Sequence, residues 1–320
     1  MGFFLLKRFF TLVATLLGAS VVVFVVLDIL PGNAAQVLMG PDASPDAVAE
    51  LATQLGLDRP AVQRYGQWMR GLVVGDLGDS YTYGSPVLEL VLERLALTVP
   101  LALMAMVLST VLALAAGLFA AARHNRWGDL GVMGLAQLGI AIPNFWFAIL
   151  LILLFSVKLQ WFSAGGFPGW TEDSGGDPLQ ALKALLLPAL ARAVVQAATL
   201  ARITRSAVLD VLREDFVRTA RAKGLSRRAA LWGHVLRNAM IPVVTVMGLQ
   251  FANLLAGTIV VENVFYLPGL GRLIFQSIAN RDLVVVRNCV MLLAAMVVVV
   301  NFFVDLLYAV IDPRVKASDV

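Results

Sequence analysis

Two polar side chains stand out because they lie inside an apolar run, where a charge is costly. Arg192 interrupts the run from Ala184 to Ala201, and Gln196 follows four residues later, which places both on one face of a helix. A guanidinium at that depth faces a bundle interior or a water-filled cavity, where it can attract a carboxylate of an anionic solute. The alternative is an arginine that extends to the outer headgroups or pairs with a structural acid.

Two further apolar runs carry polar groups that could line a path. Gln250 and Asn253 are three residues apart in a run that also contains glycines, so they line either a cavity or a close helix contact. Pro143 interrupts a third run beside Asn144, and the resulting kink either bends around a lumen or serves packing alone. The candidate path residues are Arg192, Gln196, Asn144, Gln250 and Asn253.

The chain offers little for covalent or metal chemistry. His124 and His234 are the two histidines, and neither has a companion at metal-ligand spacing. Cys289 is the single cysteine and lies in an apolar run, which indicates a packed thiol. The sequence contains no G-x-x-x-x-G-K-[ST] loop to hold phosphates. We therefore predict no catalytic residue, no metal site and no cofactor bound by this chain.

The elements that must position these groups are membrane-spanning helices. The chain has 320 residues, of which 59% are hydrophobic and 14% charged, and its mean hydropathy is +0.83. That is more apolar surface than a soluble protein buries, so a soluble enzyme is excluded. The predicted fold is an all-α polytopic membrane protein with six transmembrane helices, at Phe9 to Leu30, Leu97 to Ala121, Val132 to Val157, Ala184 to Ala201, Ile241 to Val261 and Cys289 to Ile311.

Basic residues set the predicted orientation. The first span follows Lys7 and Arg8 and ends without a small-residue cleavage site, so we expect it to be retained with the N-terminus in the cytoplasm. Nine Lys and Arg residues lie between Arg202 and Arg237, which marks that loop as cytoplasmic. With six spans, the C-terminus is expected to be cytoplasmic as well.

The loop of residues 31–96 lies outside and is predicted to contain two short helices. Ser44 can cap the first, which ends near Gly56. The second begins at Pro60 and ends by Gly75. The pair either packs as a satellite cluster on the outer membrane surface or contacts a partner protein.

Several motifs together resemble one known family. They lie, in the same order as in that family, at Leu55 to Pro60, Gly75 to Gly78, Asp215 to Arg228, His234 to Pro242, Leu267 to Gly271 and Tyr308 to Arg314. The chain resembles the B-type permease subunits of binding-protein-dependent ABC importers, in their dipeptide, oligopeptide and nickel branch. The loop motif of these importers usually begins with Glu-Ala-Ala, whereas this chain has Thr219-Ala220-Arg221. That difference is typical of the peptide branch.

This resemblance implies a type I ABC importer permease fold, with residues 1–320 as a single transmembrane domain. Residues 31–96 form its extracytoplasmic loop, and residues 202–240 form a cytoplasmic coupling loop that sits in a groove of an ATPase subunit. Within it, Gly224 reverses the chain and Ser226 caps a second short helix. The implied coupling residues are Thr219, Ala220, Gly224, Leu225, Arg227, Arg228, Ala229 and Trp232. From the residues alone, this basic run is also explained as a topology signal or a face for anionic lipid.

The segment from Glu262 to Gly271 follows the fifth span and is predicted to be a turn. The resemblance places it at an outer gate, which Glu262 holds closed through an ion pair and which Pro268, Gly269 and Gly271 shape. The alternative is a plain connecting turn.

The resemblance also implies the function and the partners. We expect a permease subunit forming half of a path for di- or oligopeptides or peptide-like solutes, with nickel chelates, glutathione or opine-like compounds as alternatives. The implied partners are a homologous C-type permease subunit, two ABC ATPase subunits or a homodimer of one, an extracytoplasmic substrate-binding protein and the lipid bilayer. ATP and Mg belong to the ATPase subunits, and no nucleic acid is expected. The expected location is the bacterial inner membrane.

An ion-coupled secondary transporter is the competing class. That class would need intramembrane acids or an inverted repeat with broken helices, and neither is clear in this sequence.

Overall fold

The computed structural model describes residues 2–29, 34–40, 42–171, 173 and 175–311. Its helices are, in chain order, α1 (Gly2–Ile29), α2 (Ala34–Met39), α3 (Pro45–Gln54), α4 (Ala61–Val74), α5 (Val87–Ala122), α6 (Trp127–Ala141), α7 (Asn144–Leu151), α8 (Pro178–Leu212), α9 (Asp215–Ala222), α10 (Arg227–Ala230), α11 (Leu236–Ala256), α12 (Thr258–Val264), α13 (Leu270–Ala279) and α14 (Leu283–Ile311). Two π-helical segments extend them, Ile152–Lys158 after α7 and Leu231–Val235 between α10 and α11.

Each predicted span corresponds to a helix or a helix pair. Five helices in the described part of the chain are long and apolar enough to cross a membrane, and the bent pair of α6 and α7 makes six if it is one span. The prediction from Ala184 to Ala201 covers only the centre of α8, which has 35 residues. At about 1.5 Å per residue, such a helix is longer than the roughly 30 Å hydrocarbon core, so its ends extend into water.

The third span is broken where the sequence contains Pro143. Ile142 and Pro143 have extended backbones, and α6 and α7 meet at an angle of 104°. Proline lacks an N–H and disfavours a helical conformation in the preceding residue, so the helix must stop before it. The predicted interruption is confirmed, and Asn144 begins the second half of the span.

α5 and α8 form the central helix pair, and small residues allow their close approach. Gly117 of α5 faces α8, where a Cβ atom would lie 2.7 Å from the Ala201 carbonyl oxygen and from Cβ of Thr204. Helices in a bilayer associate through close backbone packing of this kind, because lipid tails are as apolar as the side chains and the hydrophobic effect does not drive the helices together.

Two hydrophobic cores surround this pair. The outer core joins α5, α7, α8, α11 and α12, and its largest buried members are Leu101, Leu185, Leu254, Phe265 and Leu267. The inner core joins α5, α8, α9, α11 and the π-helical segment before α11, and includes Leu200, Val208, Val217, Val235 and Val243. The break after α11 therefore lies against the outer core, and the turn between α9 and α10 is flanked by Val217 and Val235 of the inner core.

The two predicted helices of the outer loop are present as α3 and α4. The Ser44 hydroxyl accepts the N–H of Ala47 at 3.3 Å, and Gly56 follows the end of α3 with φ +67°. Gly75 ends α4 in the left-handed conformation. Both helices are capped as the sequence predicts, because these caps depend only on neighbouring residues.

α4 packs against α1 and α14. Trp68 donates its indole N–H to Oδ1 of Asn288 at 2.9 Å, and Tyr65 and Ser20 share a hydrogen bond of 2.8 Å. The helix therefore forms a satellite cluster on the outer ends of two spans.

Ion pairs join the helices at the end of the bundle that the sequence predicts to be cytoplasmic. Arg8 of α1 lies 3.0 Å from Asp305 of α14. Arg205 of α8 binds buried Asp129 of α6 through two bonds of 2.6 and 2.7 Å, and His124 Nδ1 lies 3.1 Å from the same guanidinium. Asp129 and Arg205 are 76 positions apart, so nothing near either residue in the sequence indicates that they pair.

Candidate functional site

Arg192 binds the end of another helix. Its side chain is buried, and its guanidinium donates hydrogen bonds to the carbonyl oxygens of Gly257, of Leu254 at 3.2 Å and of Asn253 at 3.4 Å. These carbonyls close the last turn of α11, where a helix lacks internal donors and carries partial negative charge. Arg192 therefore caps α11 from α8.

The end of α11 divides the predicted fifth span. The sequence predicts one helix to Val261, whereas α11 ends at Ala256 and α12 begins at Thr258. A Cβ atom at Gly257 would lie 3.0 Å from both Nη2 of Arg192 and the Asn253 carbonyl oxygen. A residue without a side chain is therefore needed for the guanidinium to reach the carbonyls, and the span breaks there.

Glu262 of α12 is completely buried and caps the next helix. Its Oε2 accepts the backbone N–H of Arg272 at 3.1 Å, and its Oε1 accepts the hydroxyl of Thr98 at 2.8 Å. The Thr98 oxygen in turn accepts the N–H of Leu270 at 2.9 Å. A carboxylate at the N-terminus of α13 is favourable because the free N–H groups there carry partial positive charge.

The predicted turn from Glu262 to Gly271 differs from the structure at both ends. Glu262 belongs to α12, and Leu270 and Gly271 form the first turn of α13, so only residues 265–269 lie outside a helix. Gly269 lies against the Glu262 carboxylate with no room for a Cβ atom. The Pro268 carbonyl accepts a bond of 3.5 Å from Arg94. The Pro and Gly residues of this segment indicate a turn, but they do not show that its two ends belong to the neighbouring helices.

Arg192 and Glu262 form an opposite-charge couple across the break. Arg192 lies on α8 and Glu262 on α12, and the two charges attract one another. Each also caps a helix that the break creates, α11 for Arg192 and α13 for Glu262. The charges thereby join α5, α8, α11, α12 and α13 into what we call the outer joint, made of Arg192, Gly257, Glu262, Thr98 and Gly269.

The other predicted path residues lie in two settings. Gln250 is buried and donates to the Gln196 backbone carbonyl at 3.2 Å, which joins α8 and α11, while its own Oε1 has no partner among the described residues. Asn144 and Asn253 are exposed on α7 and α11. The structure thus brings Arg192, Gln196, Gln250 and Asn253 to the seam of α8 and α11, and places Asn144 at the broken third span.

The turn between α9 and α10 has the geometry that the sequence predicts. Gly224 has φ +97°, which a residue with a Cβ atom rarely adopts. The Ser226 hydroxyl accepts the N–H of Ala229 at 3.2 Å and caps the following helix. Before the turn, Thr219 donates its hydroxyl to the Asp215 carbonyl, and the Ala220 carbonyl accepts the N–H of Leu225.

Exposed apolar residues lie on both sides of this turn, and together we call them the coupling face. Its members are Phe216, Leu225, Ala229 and Trp232, and Trp232 is 61% exposed. Phe216 was not predicted, although it lies one turn from Thr219 on the same helix. The side chains of Arg227 and Arg228 lie outside the described residues.

The helix after the turn is not a separate short element. α10 continues through the π-helical residues Leu231–Val235 into α11, so one helical path runs from Arg227 to Ala256. Val235 anchors this path in the inner core, and Arg192 holds its other end. Ala229 and Trp232 of the coupling face therefore lie at one end of this helical path, and Gly257 of the outer joint follows its other end.

The described residues contain no group of three His, Cys, Asp or Glu side chains that could hold a metal ion.

The broken spans, the outer joint and the turn between α9 and α10 define a class: an all-α, multi-pass membrane permease of the type I importer fold. The chain belongs to the family of binding-protein-dependent transport system inner membrane components. That family's model matches residues 113–317, and the model of its N-terminal part matches residues 1–102.

Individual relatives match nearly the whole chain. It is 37% identical to the dipeptide transport system permease protein DppB of Alkalihalophilus pseudofirmus, over 97% of this chain and 98% of that one. It is 40% identical to the glutathione transport system permease protein GsiC of Escherichia coli O6:H1, over 98% of both. The solved inward-facing structure of the MetNI methionine ABC transporter shares the fold, with a TM-score of 0.58 at 16% identity over 70% of this chain and 96% of that chain.

Proposed function

We propose that this chain forms half of the translocation path of an ATP-driven importer for di- or oligopeptides or peptide-like solutes. The observation that carries the proposal is the match to the dipeptide permease over 97% of this chain, because it includes the outer loop as well as the spans. The proposed location is the bacterial inner membrane, with both termini in the cytoplasm. The excess of Lys and Arg between Arg202 and Arg237 supports that orientation.

The proposed partners divide the work. A homologous C-type permease subunit supplies the other half of the path, and an extracytoplasmic substrate-binding protein delivers the solute. Two ABC ATPase subunits, or a homodimer of one, bind ATP and Mg and hydrolyse the nucleotide. This chain contributes no catalytic group, and its task is gated passage.

The coupling face is the proposed entry point of force. Its exposed Trp232 and Leu225 offer an apolar contact to a groove on the ATPase subunit. Gly224 fixes the reversal of the chain before this contact, and helix continuity from Arg227 to Ala256 transmits a displacement toward the outer side. If the turn moved without α11, the displacement would not reach the outer joint.

The outer joint is the proposed outer gate. Arg192 binds carbonyls at the C-terminal end of α11, so a displacement of α11 strains these hydrogen bonds. Glu262 and Thr98 fix the start of α13 to α5 in the closed arrangement. The gate opens when α11 moves relative to α8 and these charge-assisted bonds rearrange.

The path itself is proposed to follow the exposed side of α7, α8 and α11. Asn144 and Asn253 are exposed there and offer neutral hydrogen-bonding groups to a peptide backbone. Arg192 is engaged by carbonyls in this arrangement, so it meets an anionic solute only after α11 has moved. Gln196 and Gln250 complete the same seam.

Glutathione is the second candidate solute, because the E. coli glutathione permease matches this chain at 40% identity. The competing class is a secondary transporter that works alone. The discriminating experiment reconstitutes the complex, co-purified with its own subunits, in proteoliposomes and measures uptake of a labelled dipeptide, a pentapeptide and glutathione.

We expect uptake that requires ATP and a loaded binding protein, with a peptide transported best. Preferential uptake of glutathione would assign the second solute. A chain that purifies alone and moves solute along an ion gradient without ATP would overturn the importer proposal.

A further inference from the structure

A cavity of about 770 Å³ lies between α1, α4 and α14, and no residue of the outer joint lines it. Its walls are the outer ends of α1 and α14, the turn after α3, the helix α4 and the loop of residues 76–81. The residues that matter for its chemistry are Phe24, Asp28, Arg64, Trp68, Tyr81 and Arg287. The volume falls within the range of about 300–1,000 Å³ that is usual for small-molecule sites.

Two arginines flank a stacked aromatic pair in this cavity. The rings of Phe24 and Trp68 are stacked, with centroids 6.2 Å apart. The guanidinium carbon of Arg64 lies 5.8 Å from the Phe24 centroid, and that of Arg287 lies 4.9 Å from the Trp68 centroid. The rings orient both guanidinium groups. Nε of Arg64 donates to the Arg59 carbonyl at 3.1 Å, so a ligand between the two arginines would meet the Nη groups of Arg64 and the N–H edge of Arg287.

The two arginines are not equally neutralised. Arg64 lies 2.6 Å from the Asp28 carboxylate. Nε of Arg287 is buried and has no hydrogen-bond partner among the described residues. Arg64 also repels Arg287. An anion between them would relieve this repulsion and satisfy a buried donor, which is costly to leave unpaired.

The remaining polar groups fit an anion as well. Burial raises the pKa of Tyr81, so its hydroxyl remains a protonated donor. The other charged side chains of the cavity, Arg59, Asp76 and Asp79, are exposed to solvent, which weakens their influence. Asp76 is moreover occupied with the backbone N–H of Gly78 at 3.0 Å.

The depth of the cavity selects the source of the anion. Phe24 lies five residues before the end of α1, and Arg287 four residues after the start of α14. At about 1.5 Å per residue, both lie about 6–8 Å below the helix ends, which is roughly the thickness of a headgroup layer. The neighbouring surface of α1 exposes Val22, Val25 and Val26, which suit acyl chains.

From these contacts we propose that the cavity binds the phosphate of an anionic phospholipid headgroup, held between Arg64 and Arg287, with the acyl chains along α1. The lipid fastens α4 to the outer ends of α1 and α14. Assignment to the outer leaflet rests on the proposed orientation of the chain, whereas lipid binding itself does not depend on it.

The test is a calorimetric titration of the intact complex in detergent with dihexanoyl phosphatidylglycerol, inorganic phosphate and dihexanoylglycerol. We expect the anionic lipid to bind, and Arg287→Gln and Arg64→Gln each to lower its affinity by about tenfold or more through loss of a charge-assisted bond. Arg70→Gln is the matched control, because Arg70 is exposed on the same helix and does not line the cavity. It should change nothing.

A second variant keeps both arginines. Gln67 lines the cavity and is exposed, so Gln67→Trp should narrow the site and lower lipid affinity while the complex still assembles. Inorganic phosphate bound as tightly as the lipid would assign free phosphate and overturn the lipid. Equal binding of dihexanoylglycerol would reduce the site to an apolar groove.

One further outcome would overturn the proposal in favour of a protein ligand. That outcome is absence of lipid binding together with weaker docking of the substrate-binding protein to Arg287→Gln, which would show that the cavity receives an acidic side chain.

Discussion

Thr98 and Glu262, which are 164 positions apart, share a hydrogen bond of 2.8 Å that fixes α12 to α5. The same threonine oxygen accepts the N–H of Leu270 at 2.9 Å, so one hydroxyl serves the ends of two helices. The outer joint therefore depends on a neutral residue of α5 as much as on its charges.

Replacement of Thr98 by valine should destabilise the protein. Valine keeps the shape of threonine but leaves the Leu270 N–H and one oxygen of Glu262 without this partner, at a cost of about 1–3 kcal/mol. The measurement is thermal unfolding of the purified complex. Thr110→Val is the control on the same helix, because the buried Thr110 hydroxyl has no partner among the described residues. Equal destabilisation by both variants would contradict the capping role.

Arg192→Gln should loosen the outer joint. Glutamine is too short to hold three carbonyls, and loss of the charged donor should cost about 1.5–3 kcal/mol. Arg192→Lys should fall between glutamine and the native residue, because one ammonium cannot donate in a planar fork. ATP hydrolysis should then proceed with less uptake per ATP, which is measured by assaying both in the same proteoliposomes.

Arg202→Gln is the control for this series, because Arg202 is an exposed arginine of the same helix. If Arg192→Gln leaves both the coupling ratio and the uptake of all tested anionic peptides unchanged in an intact complex, neither the joint nor a solute carboxylate depends on Arg192.

The features that the sequence predicted correctly are local ones. The cap at Ser44, the reversal at Gly224, the cap at Ser226 and the break at Pro143 each depend on residues within a few positions. Hydropathy located the spans for the same reason, since a run of about 20 apolar residues is itself the signal.

The outer joint could not be derived in this way. Arg192 was recognised as costly in a span, but its partners are backbone carbonyls, which no residue type marks. Thr98 has an ordinary place in an apolar helix, and nothing near it in sequence refers to Glu262. In the sequence, Gly257 does not differ from the other glycines of a packed span. The structure shows that a side chain is excluded there because the Arg192 guanidinium lies too close.

Gly224→Ala should impair coupling more than folding. The residue has φ +97°, where a Cβ atom is strained by about 1–3 kcal/mol, and open space surrounds it, so the strain is relieved by a change in the turn. We expect basal ATP hydrolysis to persist and its stimulation by loaded binding protein to fall. Gly233→Ala is the control, because Gly233 has equally open surroundings but lies in a helical segment. Stimulation that survives in the first variant would show that the turn tolerates a different path.

Trp232→Ala should weaken association with the ATPase subunit without lowering the stability of this chain. Trp232 is 61% exposed, so its loss removes little packing within this chain and unfolding should not change measurably. If the ring fills a groove of the ATPase subunit, truncation should weaken subunit association by about 2 kcal/mol or more, which is roughly thirtyfold in affinity. The measurement is the fraction of ATPase retained during affinity purification at decreasing protein concentration.

Trp127→Ala is the matched control, because Trp127 is 89% exposed at the start of α6 and lies outside the coupling face. Equal loss of ATPase from both variants would indicate a broad contact in which Trp232 has no special part, and unchanged retention in both would place the ATPase contact elsewhere.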